Sequence, residues 1–139
     1  MSADPLSVSL DLRSAAPPAG AVLLSNEGPD AIRVWREGNG WGDVALSFVL
    51  SRADHEATIT RRAQVYTRNV PAPVELPAGG SCRVAFDLGD GTWEPEDALA
   101  GLPDPGATLT AVYEICPTPE SDQHDVWTGR AHSEAVAIG

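Results

Sequence analysis

The densest run of chemically capable side chains is Asp87-Leu88-Gly89-Asp90-Gly91-Thr92-Trp93-Glu94-Pro95-Glu96-Asp97, which gathers carboxylates around a glycine turn. Hard cations such as calcium take oxygen ligands from loops of this kind. Aligning Gly91 with the glycine of an EF-hand loop puts Phe86 and Leu88 where oxygen ligands belong, so that motif fails. What is left is either a looser oxygen site or a solvated acidic loop. A second cluster, Glu120, Asp122, His124 and Asp125, precedes Trp127 and suits a metal or an acidic face. His55, His124 and His132 stand apart with no i, i+4 pair and no cysteine pair at ligand spacing, which argues against zinc. Ser81 lies outside any Gly-x-Ser-x-Gly elbow, and neither Gly38–Gly42 nor Gly79-Gly80 leads into a phosphate-loop lysine. The residues therefore call for no catalytic group, no cofactor and no metal, and the chain reads as a non-enzyme.

The charge balance narrows the partners. All nine basic residues are arginine, against twenty Asp and Glu, giving a net charge of −11 and a pI near 4.4. Such a field repels phosphate backbones and anionic bilayers, so nucleic acid and membrane are not expected partners, whereas a basic protein would be steered in. The start of the chain carries no basic region followed by an apolar one, and no stretch approaches the length of a membrane span, so the expected compartment is the cytoplasm. Cys82 and Cys116 are the only thiols; free thiols suit that compartment, although a cross-strand bridge is open to them.

The elements that must carry these residues are strands. Leu6, Val8, Leu10 and Leu12 alternate with polar residues, as do Leu46, Phe48 and Leu50, then Cys82, Val84, Phe86 and Leu88, and finally Leu109 to Ile115. Ala15 to Gly20 reads as irregular, with a short strand over Ala21 to Ser25 behind it. Ala31 to Trp35 forms another, and Gly38 to Gly42 supplies positive-φ positions for a reversal. Glu56 to Arg61 and Gln64 to Arg68 read as edge strands or an irregular crossing, with Arg61, Arg62 and Arg68 as charges that discourage edge pairing. Prolines at 71, 73 and 77 leave room for a short edge strand over Val74-Glu75-Leu76. Pro95 to Leu99 can close one helical turn. The last third closes as a hairpin, Leu109 to Ile115 returning through Val126 to Val136.

Seven or eight short strands, with at most one helical turn near 95–99, predict an all-β fold. Its architecture is a two-sheet antiparallel sandwich formed by residues 1–139 as one domain. Trp35, Trp93 and Trp127 are expected to pack in the core or at sheet ends.

The motifs Leu76-Pro77-Ala78-Gly79-Gly80-Ser81, Asp90-Gly91-x-Trp93, Asp104-Pro105-Gly106, Leu109 to Tyr113 and Trp127-Thr128-Gly129-Arg130-x-x-Ser133 resemble the immunoglobulin-like or fibronectin-like modules of many uncharacterised bacterial proteins. The resemblance covers roughly the C-terminal half. It implies adhesion, docking or spacer roles, usually outside the cytoplasm. Thr108 stands where such modules place the tyrosine of a tyrosine corner.

The functional expectation is a non-catalytic, acidic Ig-like module that presents a surface to another protein. Its special case is a small immunity-type or inhibitor protein that masks a basic partner. Loops on a rigid sandwich hold binding residues, which singles out Glu94, Glu96, Asp97, Asp122, His124 and Asp125, with Trp41 and Trp93 as aromatic anchors. The alternative is a calcium- or ligand-binding sandwich that uses the same acidic loops.

Overall fold

The computed structural model describes residues 5–15, 17–37, 40–63, 70–102 and 104–138. The strands are β1 (Leu6–Ala15), β2 (Pro18–Asn26), β3 (Ile32–Trp35), β4 (Leu46–Ser51), β5 (Glu56–Arg61), β6 (Pro73–Leu76), β7 (Ser81–Asp87), β8 (Trp93–Glu94), β9 (Thr108–Ile115), β10 (Gly129–His132) and β11 (Val136–Ala137). Two short helices accompany them, α1 (Gly40–Asp43) and α2 (Pro119–His124), with a 3-10 turn over Glu96–Leu99. The fold is all-β, and every pairing is antiparallel. One sheet has the order β1-β2-β7, a second runs β10-β9-β4-β5-β8 with β11 also on β9, and β3 and β6 make a two-stranded ribbon.

The alternating segments bury the side chains that their period of two assigns inward. Leu46, Phe48 and Leu50 of β4 lie within a single core with Leu24 of β2, Val84 and Phe86 of β7, Ile59 of β5 and Leu109 and Tyr113 of β9. Phe48 is wholly buried, with its ring centroid 4.6 Å from Phe86 of the facing sheet and 5.2 Å from Trp93. The two sheets thus interlock through aromatic rings, the packing expected of a sandwich interior.

Asn26 closes the end of β2. Its buried amide donates to Leu76 O (2.9 Å) on β6 and to Asp30 O (2.8 Å), while its Oδ1 accepts from Gly28 N–H (3.0 Å). This side chain therefore ties the β3–β6 ribbon to the three-stranded sheet, alongside the core packing of Val34 and Leu76.

Several expectations are corrected. Most of the stretch 15–20 is strand: β1 continues to Ala15 and β2 opens at Pro18, with Ala15 opposite Pro18, while Ala16 lies outside the described residues. A proline is tolerated as the first residue of a strand, and Pro18 O accepts from Leu88 N–H at 2.9 Å. Gly20 is needed there because a Cβ would stand 2.0 Å from Asp11 O, where the register shifts between Leu12 and Ser14. Of the expected Gly38 to Gly42 reversal, Gly38 and Asn39 lie outside the described residues, while Gly40–Asp43 form the α1 turn, in which neither Gly40 nor Gly42 has positive φ. Helix also extends beyond 95–99, since α2 occupies a segment expected to be loop. In the crossing region β5 is a regular strand between β4 and β8, and the Gln64 to Arg68 expectation lies wholly outside the described residues. Arg61 points inward to carboxylates rather than guarding an edge.

The expected C-terminal hairpin is present, but its return arm is broken into β10 and β11, both paired to β9. The register with β9 shifts by one residue between them. Ser133, 2% exposed, stands at the shift; its N–H donates to Ala111 O, and its Oγ accepts the Ala111 N–H and donates to Glu134 O, each at 2.9 Å. The hydroxyl satisfies a backbone donor that the interrupted ladder leaves over. Cys82 on β7 and Cys116 just past β9 are both free. Among the described residues no helix is long and apolar enough to cross a membrane.

Ser133→Ala orphans the buried Ala111 N–H and should cost about 1–3 kcal/mol, whereas Ser133→Thr keeps the acceptor and should cost less. Urea unfolding of the three proteins checks this ordering.

Candidate functional site

The end of the molecule carrying α1 and α2 gathers the sequence-selected side chains most closely. Helix α2 forms because Thr118, extended in its backbone, caps it: Thr118 Oγ1 accepts from Ser121 N–H (3.0 Å) and Ser121 Oγ accepts from Thr118 N–H (2.8 Å). Pro119 at the first helical position is preset for the helix and lacks only a hydrogen that would have had no partner. Asp125 ends the helix in the left-handed conformation at φ 54°, which aspartate tolerates better than most residues. The chain then docks inward, with Val126 buried and Trp127 N–H donating to Arg33 O of β3 at 2.8 Å.

Three rings lie beneath α2. The Trp35 ring is 6.2 Å from Trp41 and 5.8 Å from His124, the latter edge-on. Trp41 Nε1 donates to Glu120 Oε1 (3.2 Å), tying α1 to α2, and Arg33 Nη1 donates to His124 O (3.1 Å). Beside them Val44 is 76% exposed, on the rim of a cleft of ≈ 220 Å³ lined also by Trp41, Glu114, Cys116 and Thr118. Asp122 and Asp125 project into solvent at the same end. Trp127 stacks on Tyr113 at 6.3 Å, and Gly129, φ 146°, leaves room for it, since a Cβ would come to 3.0 Å from the indole.

Helix α1 is held from below. Arg61 Nη1 meets Asp43 Oδ1 at 3.0 Å, with both side chains largely buried, and Nη2 meets Glu37 Oε2 at 3.3 Å. The same guanidinium lies 4.9 Å over the Trp93 ring. A charge pair this enclosed is worth most as a constraint, because removing one partner strands the other.

The structure therefore brings Trp41, Asp122, His124 and Asp125 to one end and leaves the other selected residues elsewhere. Trp93 is 2% exposed, packed between Phe48 and Arg61, so it is a core side chain and not a surface anchor. Glu94 and Glu96 are engaged by Arg62 at 3.4 and 2.8 Å, and Asp97 is exposed on the 3-10 turn. Asp87, Asp90 and Asp104 accept from backbone N–H groups two residues on and so shape their own turns. Among the described residues no three His, Cys, Asp or Glu side chains converge as a metal site would need. The histidines stay apart: His55 pairs with Asp54 (2.8 Å), whose carboxyl that hydrogen bond holds below its ordinary range, and His132 meets Ser133 O.

Sequence reasoning placed Glu120 in the acidic cluster and Trp35 among the packing aromatics without joining either to Trp41, and it passed over Val44, Glu114 and Arg33. The Thr118-Pro119-x-Ser121 pattern was the available signal, since a cap followed by proline marks a helix start that would have placed Glu120 beside Trp41. Comparison of the chain with protein-family models, with curated proteins and with solved structures gave no match.

Asp43→Ala should destabilise the fold by about 1–3 kcal/mol, because Arg61 loses its most buried hydrogen-bond partner but keeps Glu37. Asp125→Gly, which removes a side chain from the left-handed position, should be neutral or mildly stabilising, and Asp125→Val should cost about 1–2 kcal/mol. Thermal and denaturant unfolding measure all three.

Proposed function

We propose that the chain is a non-catalytic, acidic β-sandwich module of Ig-like type that docks a basic protein on its α1–α2 end, in the manner of a small inhibitor or immunity-type protein. The observation that carries this reading is the cleft lined by the half-buried Trp41, the exposed Val44 and Glu114, at the end of the molecule where Asp122 and Asp125 are exposed. Protein interfaces place aromatic and apolar groups centrally and charges at the rim, where they govern encounter rate more than affinity. A net charge of −11 extends the attraction over the whole surface. The geometry favours this end over the 87–97 loop, where Glu94 and Glu96 are engaged with Arg62 and Asp87 and Asp90 with their own backbone, leaving Asp97 as its exposed carboxylate.

The test is affinity capture from source lysate with three baits: the parent chain, Trp41→Ala, and Asp122→Asn combined with Asp125→Asn. A protein held by the parent, lost by Trp41→Ala and shed as salt rises is the expected result. With that partner purified, the double variant should associate several-fold more slowly, with dissociation and melting temperature little changed. A partner retained equally by all three baits, or none retained at any salt, would sink the reading.

A further inference from the structure

A second cavity lies where the three sheets meet, on the other side of Trp35 and Gly42 from the α1–α2 cleft, with Trp35 lining both. It measures ≈ 160 Å³ and is walled by side chains from β2, β3, β4, β6, β7 and β9 together with Arg61 of β5. Its floor is apolar: Leu24, Val34 and Leu46 are buried, and Val84 nearly so. An apolar cavity of roughly 150 Å³ is large enough to hold a benzene ring.

Two buried hydrogen-bonding atoms of residues lining this space donate to no partner among the described residues. The Tyr113 hydroxyl, on a residue 3% exposed, and Arg61 Nε are both buried and unmatched among the described residues. An unpaired buried polar atom ordinarily costs about 1–3 kcal/mol, so a pair of them beside one cavity is a feature that a ligand would explain. Both atoms are donors toward an anion. Burial pushes the Tyr113 phenol well above its ordinary range, which keeps its proton in place at neutral pH. The rim adds Arg36 and Arg83, so three of the nine basic residues of a strongly acidic chain surround this one cavity. The one carboxylate in the lining, Glu37, already accepts from Arg61 Nη2.

We propose that this cavity binds a small aromatic monocarboxylate, with the ring in the apolar floor and the carboxylate accepting from the Tyr113 hydroxyl and Arg61 Nε. The Cys82 thiol, which lines the same space, supplies the readout. It is half-buried, and burial, then the Glu37 charge, raise its pKa, so it reacts slowly but measurably.

The experiment uses the full chain carrying Cys116→Ser, so that Cys82 is the single thiol, with benzoate as probe and benzamide as its uncharged counterpart. Millimolar benzoate should slow iodoacetamide labelling of Cys82 and raise the melting temperature, and benzamide should do both less well. Tyr113→Phe deletes an unpartnered hydroxyl, so it should melt no lower than the parent. It should bind benzoate about tenfold more weakly, the effect of one lost hydrogen bond. Benzoate that neither protects Cys82 nor raises the melting temperature overturns the proposal, as does equal protection by benzamide or undiminished binding in a folded Tyr113→Phe.

Discussion

Phe48 sits on β4, inside the larger sheet, and its ring reaches Phe86 of the opposing sheet at 4.6 Å while Trp93 closes on its edge at 5.2 Å. Burying an aromatic side chain contributes about 1.5–3 kcal/mol, and aromatic pairing adds roughly 0.5–1.5 kcal/mol more, so this trio fixes the spacing and alignment of the sheets. The rest follows from that spacing. With β4 and β7 placed, β9 takes the other edge of β4, and β5 and β8 bring Arg61 over the back of Trp93. Arg61 then reaches Asp43 and so sets the height of α1, whose Trp41 meets Glu120 of α2. The α1–α2 end is thus tied to the core through this guanidinium as well as through the buried Trp35 ring and Val126.

The strands were legible because their alternation is strong and their turns carry glycine or proline. Leu46, Phe48, Leu50, Val84, Phe86 and Leu109 all face the way their spacing requires. The turn between β1 and β2 was not legible, because two prolines read as a break when one of them can open a strand whose first position needs no donor. Helix α2 was hidden by its length: six residues give no amphipathic period, and its evidence lies wholly in the Thr118–Ser121 cap. Trp93 was expected both to pack inside and to serve as a surface anchor; it packs inside, since in β8 only its neighbour Glu94 faces water.

The candidate sites were less legible than the fold for a reason of chemistry. A carboxylate in a sequence carries no mark of its engagement. Asp87, Asp90 and Asp104 organise turns, Asp43 neutralises an enclosed arginine, Glu94 and Glu96 hold Arg62, and Asp122 and Asp125 alone among the acids first selected face solvent beside aromatic groups. The cavity beneath Tyr113 was less legible still, because its walls come from seven strands and no two neighbouring residues announce it.

The offset at Ser133 also has a geometric meaning. On β10 the odd-numbered residues Gly129 and Ala131 turn toward the protein, and Ser133 follows them; past the extra residue the parity changes, so Val136 and Ile138 turn inward and Ile138 is 1% exposed. Segment 133–135 is therefore a phase converter between two halves of one strand path. Chain length at this point is quantised: losing or gaining one residue would send Ile138 into water and bring its polar-side neighbours under the sheet.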